Sequence, residues 1–423
     1  MKYTDFIDLK YKPKNSDLIC SFYLEKDEKS KMNVHQLAGG VAAESSIGTW
    51  TELTTEKEYM KNLAAKVFSI KGNFIKIAYP IELFELDNIP NLMSSIAGNI
   101  FGLKDIKNLR LEDINLPTKM IEKFKGPVYG IQGVRKLLKV YNRPLIGTIV
   151  KPKLGLNTRD HATVAYNAWI GGCDIVKDDE NLSSQSFNDF YERVKETLKL
   201  RDRAEKETGE KKVYMANVTA ETNEMLKRMD FIKKCGGEYA MVDILTIGWA
   251  GLETLRNHNS GLKLVLHAHR AGHAALTRNP KHGISMLVLA KLCRLIGMDQ
   301  LHIGTIVGKM EGPKDEVVFL EGEIEKNIIR EEGHALAERW YHIKPMFAVC
   351  SGGLHPGHVP ALVKMLGKDI IIQMGGGIHG HPRGTVAGAR AARQAIDAVM
   401  KKISLKEYSK NHKELREALE KFA

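Results

Sequence analysis

The sequence predicts an α/β protein: a closed (β/α)8 barrel, a TIM barrel, preceded by a smaller α+β domain. Three observations predict it. From about residue 145 onward, eight short apolar runs alternate with helical stretches, and strictly alternating β and α units imply a parallel sheet. Eight such units over this span fit a closed barrel better than an open doubly wound sheet. No GxGxxG follows the first of these strands, which weakens a dinucleotide-binding alternative.

The elements can be justified in order. Up to Lys125 strands and helices are mixed. Residues 74–79 alternate like a strand, and Pro80 ends it. Pro90, followed by Leu92, Met93, Ile96 and Ile100, reads as the start and apolar stripe of a helix. The turn-rich stretch Lys125-Gly126-Pro127, then Gly130 and Gly133, is the linker candidate. The expected domains are therefore 1–125 and 126–423. The expected barrel strands are 145–150, 173–176, 213–218, 239–247, 262–268, 301–306, 346–350 and 370–374. From Ser404 on, Lys and Glu with apolar residues at helical spacing predict a terminal helix packed on the barrel.

Composition excludes several classes. A chain of 423 residues suggests two or three units at roughly 100–200 residues per domain. Hydrophobic residues at 43% and charged residues at 27% fit a large packed core and argue against disorder. Lys plus Arg is 63 and Asp plus Glu 51, a net charge of +12, which invites anionic partners. The lysines are spread along the chain with no dense basic run among aromatics, so the excess reads as solvated surface and no nucleic acid is expected. No apolar run is long enough for a membrane span, since the longest candidate stops at Lys291, and no membrane association is expected. The N-terminus lacks an apolar signal core. Five widely spaced cysteines without a CxxC indicate neither a zinc site nor a disulfide framework, and a cytoplasmic location is expected.

In a barrel, catalytic groups lie just past the C-terminal ends of the strands. Polar residues of this half fall there: Lys151 and Lys153 after the first strand, Lys177-Asp178-Asp179-Glu180 after the second, His267, His269, Arg270 and His273 at the fifth. His302, Gly304, Gly308 and Lys309 follow on the sixth, Ser351-Gly352-Gly353 on the seventh, Gly375-Gly376-Gly377 on the eighth. Singly, a charged run is usually a solvated loop, a histidine a structural group and a glycine triplet a turn. Together they form a joint pattern on one rim. Asp179 and Glu180 are hard oxygen donors suited to Mg²⁺, although two carboxylates alone make a sparse site. Glycine-rich ends of strands seven and eight suit a phosphate, and Arg270 with His302 a second anion. Two phosphate sites flanking a metal suggest a sugar bisphosphate. Lys309 sits in a glycine-bracketed loop suited to close as a lid.

These residues resemble one family, the large subunit of ribulose-1,5-bisphosphate carboxylase/oxygenase, Rubisco. The stretch 172–180 resembles its GGxDxxKDDE activation motif, 151–156 its KPKLGL, and 267–273 its HxHRAxH. His302 through Lys309 resembles its sixth strand and lid, and Ser351-Gly352-Gly353 and Gly375-Gly376-Gly377 its phosphate strands. In the first domain, 44–50 resembles ESSxGTW and 98–102 GNxFG. The similarity spans nearly the whole chain and is closest to the short archaeal-type, form III-like members.

The resemblance implies a ferredoxin-like N-terminal domain and carboxylation of ribulose 1,5-bisphosphate by CO2, with O2 as a competing substrate. The setting it implies is AMP or nucleoside salvage or carbon fixation. It implies that Lys177 takes up an activator CO2 as a carbamate and, with Asp179 and Glu180, holds Mg²⁺. Lys151 would protonate a late intermediate with Lys153 supporting its charge, His269 would move protons, and Lys309 would meet the new carboxylate. Thr49, Trp50, Lys309, Gly353, Gly375 and Gly376 would hold one phosphate; Arg270, His302 and Ser351, beside Gly352, the other. Asn99 would approach the metal and Glu44 would pair with Lys309. In the family the first-domain residues come from the neighbouring subunit, so a homodimer or an assembly of dimers without a small subunit is implied. One departure is Ile149, where the family commonly has a substrate-contacting threonine; Thr148 precedes it. The alternative is a Rubisco-like enolase or isomerase that does not fix CO2.

Overall fold

The computed structural model describes residues 1–307 and 314–422. They form two compact units. The first comprises Met1–Gly126, Gly272–Leu295 and Lys326–Ile343, the second Pro127–Ala271, Ile296–Glu325 and Lys344–Ala423. In chain order the strands are β1 (Leu18–Lys26), β2 (Lys66–Lys71), β3 (Phe74–Tyr79), β4 (Ile106–Asn115), β5 (Leu145–Ile149), β6 (Ile175–Lys177), β7 (Val213–Asn217) and β8 (Tyr239–Asp243). There follow β9 (Val265–His269), β10 (Gly283–Ile284), β11 (Gln300–Gly304), β12 (Ile328–Ile329), β13 (Glu338–Arg339), β14 (Phe347–Ser351) and β15 (Ile370–Gln373).

The first unit is built on a five-stranded sheet of order β10-β4-β1-β3-β2, with β10 parallel to β4 and the other pairs antiparallel. Gly72, at φ +59°, makes the tight turn between β2 and β3. Helix Val34–Glu44 is started by Asn33, whose side chain accepts from the Gln36 amide while Gln36 reciprocates. The helix expected at Pro90 runs Ile89–Ile96, with Asn88 as its cap. Ile100 is not on it. Gly98 breaks the run, and Ile100 belongs to the 3-10 turn Asn99–Gly102.

The second unit contains a closed parallel barrel, in circular order β5-β6-β7-β8-β9-β11-β14-β15. It closes where Ile371 of β15 lies opposite Leu145 of β5. Leu145, Ile175, Met215, Tyr239, Val349 and Ile371 belong to its buried apolar filling. Side chains alternate across a strand, so the next inward positions toward the C-terminal ends are Lys177, His267, His302, Ser351 and Gln373. The fourth strand is shorter than the expected 239–247. It stops at Asp243, and Ile244–Leu262 is helical, broken only at Gly248 (φ +72°). A short apolar run does not by itself distinguish a strand from the first turn of a buried helix. The C-terminal segment forms helices Leu405–Ser409 and Lys413–Phe422, the second burying Leu415 and Ala418.

Candidate active site

β6 is three residues long, and its last, Lys177, is 1% exposed. Its amine donates to the Asp178 carbonyl (2.8 Å) and lies 3.4 Å from Met241 Sδ and 3.6 Å from Glu180 Oε2. Burial pushes the amine's pKa below the usual lysine range, while Glu180, Asp179 and Asp243 pull the other way. Asp178 is buried among structural partners: it accepts from Tyr214 (2.5 Å), the Asn217 amide (3.0 Å) and Arg193 (3.2 Å). Asp179 instead faces Lys151, whose amine lies 2.7 Å from its Oδ2. Glu180 is partly exposed. Burial raises its pKa, but Lys177 and His269 outweigh burial and hold it below the usual range.

Among the described residues, no three His, Cys, Asp or Glu side chains converge as metal ligands. Asp179 and Glu180 supply two hard oxygens beside a buried amine. That donor set fits Mg²⁺ once Lys177 itself becomes an oxygen donor as a carbamate. Burial lowers the proton affinity of the amine and so favours the neutral form that a carbamate would require.

His269 ends β9. Its Nδ1 is 2.6 Å from Asp243 Oδ1, and its Nε2 is 3.6 Å from Glu180 Oε2. Asp243 therefore orients the ring and turns Nε2 toward Glu180. Behind it runs a buried chain of hydrogen bonds. Tyr239 accepts from Gln300 (3.5 Å), Gln300 Oε1 faces His267 Nδ1 (2.9 Å), His267 and His302 meet through Nε2 (2.9 Å), and His302 Nδ1 faces Ser351 Oγ (2.7 Å). Burial lowers the pKa of His267 to about 3 and that of His302 well below its ordinary value, so both rings are neutral at pH 7.

Beside this chain, β11 ends at Gly304 with φ +94°. That φ favours glycine, and a Cβ there would lie 2.8 Å from the Arg270 guanidinium, whose flexible end would have to shift. Burial lowers Arg270 to about 10, with Glu316 opposing, and the group stays charged. Gly352 (φ +121°) and Gly353 (φ +69°) follow β14. After β15, Gly375 leads into the short helix Gly376–His379, and a Cβ on Gly377 would meet the Leu354 carbonyl. Lys153 is exposed, its amine 3.3 Å from Asn181 Oδ1.

The second unit thus gathers Lys151, Lys153, Lys177, Asp179, Glu180, His269, Arg270, His302, Ser351, Gly352, Gly353, Gly375 and Gly376 on its strand ends. Glu44, Thr49, Trp50 and Asn99 belong to the first unit. There Glu44 accepts from the Tyr3 hydroxyl (2.9 Å) and, with Thr49 and Trp50, lines a cavity of about 590 Å³. Trp50 is 81% exposed. Asn99 opens the turn Asn99–Gly102. Lys309 lies outside the described residues. Sequence reasoning missed Asp243, Gln300 and Gln373. Each is a polar residue at or near one end of an apolar barrel strand, and that placement was the available signal. The Gln373 amide is buried and has no hydrogen-bond partner among the described residues.

Family models for the ribulose bisphosphate carboxylase large chain match twice, its N-terminal domain over residues 5–120 and its catalytic domain over residues 130–422. The chain belongs to the Rubisco large-chain family. It is 54% identical to the ribulose bisphosphate carboxylase of Methanosarcina mazei, over 99% of both chains. It is 48% identical to that of Methanocaldococcus jannaschii, over 98% of this chain and 99% of the relative. Among solved structures, the octameric Rubisco of Pyrococcus horikoshii superposes with a TM-score of 0.94 at 45% identity, covering 100% of this chain and 97% of the other. The dimeric archaeal Rubisco of Hyperthermus butylicus does so with a TM-score of 0.94 at 46% identity, covering 99% of each. The fold expected from the sequence, a (β/α)8 barrel after a smaller N-terminal domain, is that of archaeal Rubisco.

Proposed function

We propose that the chain carboxylates ribulose 1,5-bisphosphate with CO2 to two molecules of 3-phosphoglycerate, with O2 as the competing substrate. The observation that carries this reading is the buried Lys177 amine beside the carboxylates of Glu180 and Asp179, with Lys151 and His269 on the same rim. Mg²⁺ held by Asp179, Glu180 and a Lys177 carbamate would polarise the oxygens of the bound sugar. Carbamylated Lys177 would supply the base that takes the C3 proton, and the enediol left on the substrate would then add CO2 at C2. His269, oriented by Asp243, moves protons during hydration of the new carbon skeleton. Lys151 delivers the last proton after C2–C3 cleavage, with Lys153 adding positive charge nearby. Arg270, His302 and Ser351, with Gly352, take one phosphate; Gly353, Gly375 and Gly376, with Thr49 and Trp50, take the other. The first-domain residues, Asn99 and Glu44 included, come in this reading from the neighbouring subunit and complete the site together with Lys309.

The same reading takes 1–125 as the α+β domain and 126–423 as the barrel domain, and places the enzyme in the cytoplasm as a homodimer or an assembly of dimers without a small subunit. It serves AMP or nucleoside salvage, or carbon fixation. Relatives that carry the name carboxylase favour CO2 fixation over enolase or isomerase activity alone. Among the described residues no helix is long and apolar enough to cross a membrane.

Incorporation of radiolabelled CO2 into acid-stable product tests the assignment. Pre-incubation with CO2 and Mg²⁺ should raise the initial rate, and Lys177→Ala should abolish it, because base and third ligand vanish together. Full activity of that variant would overturn the assignment.

A further inference from the structure

His379 ends the short helix that opens at the Gly375-Gly376-Gly377 loop. Its ring reaches two further elements of the second unit. Nε2 lies 3.0 Å from the Ile149 carbonyl and 3.0 Å from Thr148 Oγ1, both on β5. Nδ1 lies 3.0 Å from Thr385 Oγ1, at the start of helix Gly384–Met400. Hydrogen counting settles the tautomer. A carbonyl only accepts, so Nε2 carries the hydrogen and shares it between Ile149 and Thr148. The Thr148 hydroxyl gives its own hydrogen to the Met374 carbonyl, 2.7 Å away, so it also accepts from His379. Nδ1 is then bare, and the Thr385 hydroxyl donates to it. Burial pushes the ring down to about 4, and the Lys151 charge acts in the same direction, which keeps it neutral at pH 7.

The groups tied together here flank the rim. Met374 donates its backbone amide to the Gly147 carbonyl at 3.0 Å. Beyond that bond the link between β15 and β5 is made by side chains, through Thr148 and His379. Ile149 stands two residues before Lys151, and Met374 immediately precedes Gly375. A Cβ built on Gly375 would lie 3.3 Å from Lys151 Cε, so the lysine stem rests against the glycine loop.

We propose that His379 is a positioning residue, a strap that holds Lys151 in register with the Gly375-Gly376-Gly377 loop. This rests on the proton-donor role proposed above for Lys151. Leucine would fill the space but strand the Ile149 carbonyl and the Thr385 hydroxyl. Glutamine presents an N–H and a carbonyl oxygen and can keep both bonds.

The test is a double-mutant cycle in the full-length enzyme, activated with CO2 and Mg²⁺ and read as kcat and KM for ribulose 1,5-bisphosphate. His379→Leu should lower kcat by about tenfold or more, since a misplacement near 1 Å at a reacting group costs up to about a hundredfold. KM should stay within about threefold, because the strap acts on a chemical step. His379→Gln should restore most of kcat. In a Lys151→Met background, His379→Leu should cause no further loss, because the strap acts only through Lys151. A His379→Leu loss that persists undiminished in that background overturns the strap, as does a His379→Leu enzyme of wild-type kcat. A Lys151→Met enzyme of wild-type kcat overturns the role of Lys151 itself, which is a different failure. If His379→Leu does not fold, Thr385→Val removes only the hydroxyl that donates to Nδ1 and so loosens the strap at its far end. The same pattern is then expected, and its absence overturns the proposal.

Discussion

Asp174 shows how single residues hold the barrel. Arg143 grips it from both guanidinium ends at 2.7 Å, and the Ile146 amide donates to it at 2.9 Å. Burial raises the carboxyl's pKa, but Arg143, Arg393 and Lys212 outweigh burial and hold it at about 2. A folded pKa below the unfolded value of about 3.9 stabilises the protein above that value, and the contribution is lost as pH falls from about 4 through 2. The shift corresponds to about 2–3 kcal/mol. Asp174→Asn should lower stability at pH 7 by about 3–5 kcal/mol, because it leaves Arg143 without its counter-charge. It should also flatten the acid limb of a urea-midpoint against pH curve between about pH 4 and 2. An unchanged acid limb would remove Asp174 from that account. Lys177, Asp179 and Glu180 were legible in the sequence because they are consecutive or nearly so. Gln300 and His379 were not, because their partners lie 33 and 230 residues away.

Helix Met286–Ile296 illustrates the scale of elements. Its apolar run was legible, and so was the lysine that interrupts it. Its place was not. Lys291 is fully buried, 2.8 Å from Asp113 Oδ1 on β4, and also donates to the Ile114 carbonyl at 2.8 Å. The Leu336 amide donates to the other Asp113 oxygen at 2.6 Å. One carboxylate thus joins three stretches of the first unit that lie up to 223 residues apart. Apolar periodicity reports which face of a helix is buried, not which distant strand covers it. Lys291→Met should cost about 3–5 kcal/mol in urea unfolding, because Asp113 stays buried without its cation. A loss below about 1 kcal/mol would mean that Asp113 is carried by its backbone bonds alone.

For the whole molecule, the two-domain plan and the barrel were legible, since eight alternating units leave few other architectures. Assembly was legible only through the family resemblance, because no intrachain pattern encodes a symmetry axis. The shared-site dimer proposed here makes a specific prediction. Glu44→Gln and Lys177→Ala should each give inert homodimers. A hybrid dimer places both defects in one site and leaves the other intact, so isolated hybrids should recover about half of the wild-type rate if the sites are independent. Inert hybrids of folded subunits would mean that each chain builds its own site.

Trp50 has an optical consequence. Trp169 and Trp340 are fully enclosed and Trp249 is half-buried, whereas Trp50 is 81% exposed in the single chain. An indole in water emits at the red edge of tryptophan fluorescence and is open to quenchers such as iodide, while enclosed indoles emit to the blue and are protected. The chain therefore carries its own reporter beside the ESSIGTW stretch. Dilution from assembled to dissociated protein, or addition of a bisphosphate, can be followed as a change in the red, quenchable part of the emission without any attached dye.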